Sequence, residues 1–257
     1  MYHDIYREIV RLAELGEDAA VATVISVEGS TPREEGAKML VYDNGSILGT
    51  VGGGNVEKRV IQEALGVIKT GKATKLAYRL NPNGELGMLC GGDTEVFIEP
   101  ITGAPRLFIF GAGHICIPLA RMAILTDFKV IVIDDRPEFA TTERFPEASE
   151  VIVSDFKTAF DKIVVSSGSF IVIVTHGHAG DEVVLENALK TPAKYIGMIG
   201  SKSKNAAVFS HLQIKGFTTD DISRVHAPIG LPIRAQTPEE IAVSILGEMI
   251  QIRRTLP

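Results

Sequence analysis

Apolar residues in the first hundred positions switch between two spacings. Ile5, Ile9, Leu12 and Leu15 recur at helical intervals and stop at Gly16, which predicts an amphipathic N-terminal helix. The runs Ala20 to Val27 and Lys38 to Tyr42 read as strands. Asp43-Asn44-Gly45-Ser46 has the chemistry of a hairpin turn and leads into a third strand, Ile47 to Val51. Val60, Ile61, Ala64, Leu65 and Ile68 share one face of a helix expected from Val56 to about Lys69. Two more strand candidates follow, Lys75 to Leu80 and Glu95 to Glu99. Residues 1–100 therefore predict an α+β domain dominated by antiparallel strands.

The breaker residues Pro100, Gly103 and Pro105 mark a linker, and beyond it the pattern changes. Short apolar runs at Arg106 to Phe110, Lys129 to Ile133, Glu150 to Ser154, Phe170 to Thr175 and Tyr195 to Ile199 alternate with helical segments at Ile115 to Leu125 and Glu182 to Lys190. A last helix is expected after Thr237, where Thr237-Pro238-Glu239-Glu240 supplies an N-cap, a proline at the first helical position and first-turn acids. Alternation of this kind predicts a doubly wound, Rossmann-like parallel sheet over residues 104–257, so the whole chain is α/β.

The first strand of that second half runs into Gly111-Ala112-Gly113-His114. Glycines let a backbone approach a pyrophosphate, and the helix N-terminus supplies unpaired N–H groups with a partial positive charge. A carboxylate about 20 residues on can bind ribose hydroxyls, and Asp134 stands there. Cys116 replaces the third glycine of the fingerprint.

Composition narrows the function class. Of 257 residues, 45% are hydrophobic and 23% charged, and the net charge is −6. That argues for a globular chain and against a nucleic-acid partner held by broad charge neutralisation. No apolar run approaches a membrane span, and Met1-Tyr2-His3-Asp4 lacks the basic-then-apolar order of a signal peptide. Two cysteines in different contexts fit a reduced, cytoplasmic protein.

Several polar clusters are candidates for chemistry. In the first half they are Gly29-Ser30-Thr31-Pro32-Arg33, then Gly52-Gly53-Gly54-Asn55 with Glu57, then Cys90-Gly91-Gly92. Three glycines before a helix can form an anion-binding nest, Arg33 and Lys38 add charge, and Cys90 beside Gly91 and Gly92 is open to a metal. The bland alternative is turn glycines and a small buried cysteine. In the second half, Thr175-His176-Gly177-His178 with Asp181 ends a strand, where open α/β sheets place ligands. Its spacing resembles the His-x-His-x-Asp-His box of metallo-β-lactamase-like hydrolases with the acid one place late. A pair of histidines donating to an anion is the better expectation. Gly200-Ser201-Lys202, at another strand end, suits a phosphate or carboxylate.

Taken in order, these segments resemble the XdhC/CoxI family, accessory factors of xanthine dehydrogenase and carbon monoxide dehydrogenase, over nearly the whole chain. The resemblance implies a protein that binds molybdenum cofactor (molybdopterin) and promotes insertion of its sulfurated form into a xanthine dehydrogenase-type molybdenum hydroxylase. It implies a cysteine desulfurase as a second partner and no turnover of the protein's own. The clusters above and the resemblance together nominate for the cofactor Ser30, Arg33, Gly52, Gly53, Gly54, Asn55, Glu57, Cys90, Gly91, Gly92, Gly111, Gly113, His114, Asp134, His176, His178, Asp181, Gly200, Ser201 and Lys202, with Cys90 at the molybdenum. Two departures stand out: Asn55 occupies a position where members often carry cysteine, and Arg234 one where glycine is more usual. A homodimer is expected, with polar clusters of both halves on one shared cleft. The rival expectation is an NAD(P)-dependent oxidoreductase using the Gly111 turn and Asp134.

Overall fold

The computed structural model describes residues 2–29, 31–80 and 92–254, divided into two units, the first ending at Gly103 and the second beginning at Ala104. The first unit holds α1 (Tyr2–Leu15), β1 (Ala19–Glu28), β2 (Lys38–Tyr42), β3 (Ile47–Gly49), α2 (Gly54–Thr70), β4 (Thr74–Leu80) and β5 (Gly92–Ile101). Its five strands pair antiparallel in the order β3-β2-β1-β5-β4. Side chains alternate across the pleat, so neighbouring residues of β1 serve different cores. Ala20, Ala22 and Val24 join Val96 and Ile98 against Val56, Val60, Ala64 and Val67 of α2. Ala19 and Val21 join Leu40 against Ile5 and Leu12 of α1. Gly71, left-handed at φ 64°, ends α2 and donates its N–H to the Val67 carbonyl.

The second unit holds β6 (Arg106–Phe110), α3 (Cys116–Leu125), β7 (Lys129–Asp134), β8 (Glu150–Val153), β9 (Phe170–Ile173), α4 (His178–Ala188), β10 (Tyr195–Met198), α5 (Lys202–Ile214), α6 (Thr219–Ser223), β11 (Val225–His226) and α7 (Pro238–Arg254). All five strand pairings are parallel, in the order β11-β10-β9-β6-β7-β8. The sheet is covered on both faces, which is why its strands read as unbroken apolar runs. Leu107 and Ile109 of β6 pack toward α3 and α7, whereas Phe108 and Phe110 pack toward α4 and α5. All four are fully buried, each contributing about 1.5–3 kcal/mol in apolar transfer.

Several details differ from expectation, among them two helices. Helix α4 starts at His178 rather than Glu182, because Gly177 is extended and the turn before it is closed by Asp181. The short α6 is held by a capping box in which Thr218 and Asp221 bond reciprocally. The turn after β11 is tied to α7, where the Glu248 carboxylate accepts from the Tyr195 hydroxyl at 2.5 Å and the Gly230 N–H at 2.9 Å. Arg234 in that turn has φ 60°, so it keeps the left-handed conformation a glycine would take. No helix among the described residues is long and apolar enough to cross a membrane.

Strand order reverses at β6: the chain moves to β7 and β8 on one side and to β9, β10 and β11 on the other. That switch point is where an open parallel sheet leaves a crevice at its carboxyl ends.

Candidate functional site

At the switch point the backbone after β6 is wedged between β7 and β9. The Gly111 N–H donates to the Ile133 carbonyl, and the Val174 N–H to that of Phe110, both at 2.8 Å. A Cβ on Gly111 would lie 2.3 Å from the Val174 carbonyl oxygen, and its φ is 109°. Only glycine fits there. Gly113 is different, since a Cβ on it would meet nothing within 4 Å. No side chain caps the start of α3, which leaves its first-turn N–H groups for another acceptor. Cys116 is fully buried against the sheet, as a substitute for the third glycine requires, and burial pushes its thiol pKa up. His114 is exposed beside this turn.

The carboxylate expected to face a ribose is instead filled from inside the chain. Asp134 is fully buried. Its Oδ2 accepts from the Ala112 N–H at 2.7 Å and Arg136 Nη2 at 2.9 Å. Its Oδ1 accepts from the Arg136 N–H at 3.0 Å and Arg136 Nε at 2.8 Å. Burial would push the acid up, but the Arg136 fork and the two backbone N–H groups outweigh it and hold its pKa at about 2. The Arg136 guanidinium lies 3.8 Å from the Phe139 ring centre.

Above the turn, His176 at the end of β9 and Asp135 at the end of β7 reach across the intervening β6, with Nε2 to Oδ1 at 3.2 Å. Asp181 is buried and serves the loop itself: its Oδ1 accepts from the Thr175 N–H at 3.1 Å and the Thr175 hydroxyl at 2.7 Å. Among the described residues no three His, Cys, Asp or Glu side chains are grouped to hold a metal. At the next strand end a Cβ on Gly200 would lie 2.3 Å from Asn205 Oδ1, so the buried Asn205 fixes that turn. Ser201 caps α5 by accepting from the Lys204 N–H at 3.3 Å, and Lys202 is exposed. Sequence reading missed Asp135, Arg136 and Asn205. The Asp-Asp-Arg run was the available signal for the first two.

The first unit carries its own cluster. Gly52, Gly53 and Gly54 have φ of 150°, 84° and 61°, and a Cβ on either of the last two would meet nothing within 4 Å. A Cβ on Gly52 would lie 3.2 Å from Pro32 Cγ, so the first two glycine clusters lie side by side. The Thr50 hydroxyl bonds the Glu57 carboxylate and accepts from the Gly52 N–H at 3.3 Å, which ties Glu57 to the turn. Gly53 precedes α2 without a side-chain cap, and Asn55 and Arg33 are exposed. Lys38 donates to the Thr23 hydroxyl at 2.9 Å. Gly92 opens β5; Ser30, Cys90, Gly91 and the side chain of His178 lie outside the described residues.

This geometry has relatives. Residues 107–249 match the XdhC Rossmann domain, and residues 12–79 match the XdhC and CoxI family. An uncharacterized Escherichia coli K12 protein, YqeB, is 35% identical over 99% of this chain, and the chain spans only 47% of that protein's length. A Bacillus subtilis 168 protein described as a probable xanthine dehydrogenase subunit is 28% identical, covering 95% of this chain and 96% of its own. The molybdenum cofactor insertion chaperone PaoD of Escherichia coli K12 is 22% identical over 97% of this chain and 89% of its own. A crystal structure of a xanthine dehydrogenase from Bacillus halodurans superposes with a TM-score of 0.54 at 26% identity, over 96% of this chain and 95% of that one.

Proposed function

The chain belongs to the XdhC and CoxI family, and from that premise we propose that it binds molybdenum cofactor as cargo and promotes insertion of its sulfurated form into a xanthine dehydrogenase-type molybdenum hydroxylase. The observation that carries the reading is that both units match the family, and that a relative over nearly the whole chain is a molybdenum cofactor insertion chaperone. The cargo is an anionic, phosphate-bearing pterin. Glycine turns with room beside them suit it: Gly53 and Gly54 ahead of α2, and Gly113 ahead of the uncapped α3. Arg33, His114, His176 and Lys202 are exposed donors on the same family motifs. Cys90 is assigned to the molybdenum or to the sulfur delivered with it, a thiolate being a soft ligand. The remaining proposals are a cysteine desulfurase partner, a homodimer, action in the cytoplasm, and no turnover of the protein's own. The occupied Asp134 carboxylate weighs against the nicotinamide-dependent oxidoreductase.

The test is cargo analysis of freshly purified protein from a molybdenum-replete host. Oxidised-pterin fluorescence and molybdenum should elute with the chain in matched amounts. Gly113→Val should lose both while melting as wild type does, because its added carbons enter open space. Wild-type protein free of pterin and molybdenum would sink the reading.

A further inference from the structure

We propose that Arg136 is a specificity residue that closes the Gly111 turn to ribonucleotides, by occupying from within the carboxylate through which such turns grip a ribose diol. The proposal stands on the geometry of the turn and not on the cargo named above. A ribose diol donates two hydroxyls to an acid at the end of the second strand, so that acid must present free oxygens to the crevice. Asp134 presents none: four N–H groups fill its two oxygens, and its side chain has 0% exposure.

The fork is hard to displace. Both of its N–H···O contacts join two ions in a bidentate fork, whereas a ribose would offer the same carboxylate only neutral donors. The guanidinium also rests on the Phe139 ring, and Arg144 holds that segment by donating from Nη1 to the Phe139 carbonyl at 2.8 Å. The turn has lost one donor as well as the acceptor. The Ala112 N–H, a donor of the turn itself, is spent on Asp134. A fork that merely braced the end of β7 would explain stability alone. Its position on the one carboxylate a nucleotide needs makes a further claim, that removing it creates binding.

The chain contains no tryptophan, so the emission of a reduced nicotinamide can be followed without interference from protein indoles. NADH and NADPH are titrated by fluorescence anisotropy against the 257-residue wild type, Arg136→Ala and Arg136→Lys, with thermal melting read on each. Wild type should show no saturable binding tighter than about 1 mM. Arg136→Ala should bind NADH at least tenfold more tightly than that limit. Arg136→Lys should gain less, because an ammonium keeps the charge but lacks the planar fork. If Arg136→Ala does not fold, the lysine variant decides. Saturable wild-type binding of either nucleotide overturns the proposal, and so do folded variants that bind no better than wild type. Neither result bears on pterin carriage, which is read by cargo analysis.

Discussion

The turns at Gly111–Gly113 and Gly52–Gly54 look alike in sequence, each a strand end, a glycine cluster and a helix. They use glycine for opposite reasons. Gly111 is glycine because backbone fills the space a side chain would take, with the Val174 carbonyl oxygen 2.3 Å from the Cβ position. Gly53 and Gly54 are glycines because φ of 84° and 61° belongs to the left-handed side, while the space beside them is open. Gly111 is a joint of the sheet, and the room in its turn begins only at Gly113. The second turn is a surface with room for something else. A glycine motif therefore predicts a ligand only after the two uses have been separated.

Gly111→Ala is the harshest test of that difference. The clash is with backbone that cannot rotate away, and φ of 109° adds strain, so a loss of about 4 kcal/mol is expected in urea unfolding. A loss under about 1 kcal/mol would show that the joint can give. Next in size is Asp134→Asn, which leaves the Arg136 fork without its charge partner. The carboxyl titrates at about 2 when folded against a reference of 3.8, so it stabilises the fold above the reference value and loses that contribution as pH falls toward 2. The variant should be about 2–3 kcal/mol less stable at pH 7 and should converge with wild type near pH 2. A constant gap across that range would remove Asp134 from the acid limb.

Gly53→Ala should cost about 2 kcal/mol, since φ 84° with ψ 173° is backbone that glycine alone adopts readily, but no clash is added to that strain. A cost matching that of Gly111→Ala would erase the comparison. The smallest effect belongs to Arg234, a non-glycine residue at φ 60°. Arg234→Gly relieves that strain but adds unfolded-state freedom, for a net gain of about 0.5 kcal/mol, seen as a rise of about 1–2 °C in melting temperature. A lower melting point would mean that the Arg234 side chain contributes more than its backbone costs.

Much of the fold was legible because its elements are bounded by strong punctuation. The limits of β2 and β6 follow from apolar runs closed by Asp43-Asn44-Gly45 and by Gly111. The start of α4 was misread because Gly177 and Gly180 look like loop, whereas Asp181 closes the Thr175 turn and lets the helix begin at once. Asp134 illustrates a different limit. Spacing located the acid correctly at the end of the second strand of its unit, but spacing cannot say whether a carboxylate looks outward or is claimed by an arginine two residues on. The pairing of His176 with Asp135 depends on strand order, which brings the ends of β9 and β7 to either side of β6. Pairings of that kind become visible only once the sheet is assembled.

Helix α7 carries a consequence for synthesis. Ala242, Ile245, Leu246 and Met249 complete the apolar cluster formed by α3 and one face of the parallel sheet. Residues 238–254 leave the ribosome long after the strands they cover. Until then Leu107, Ile109, Val130 and Val132 line a face that α3 shields only in part. A nascent chain stalled before Pro238 would thus display a sticky half-roofed sheet, and in cells the second unit should depend on chaperone shelter during translation more than the first, whose two cores are complete by Ile101.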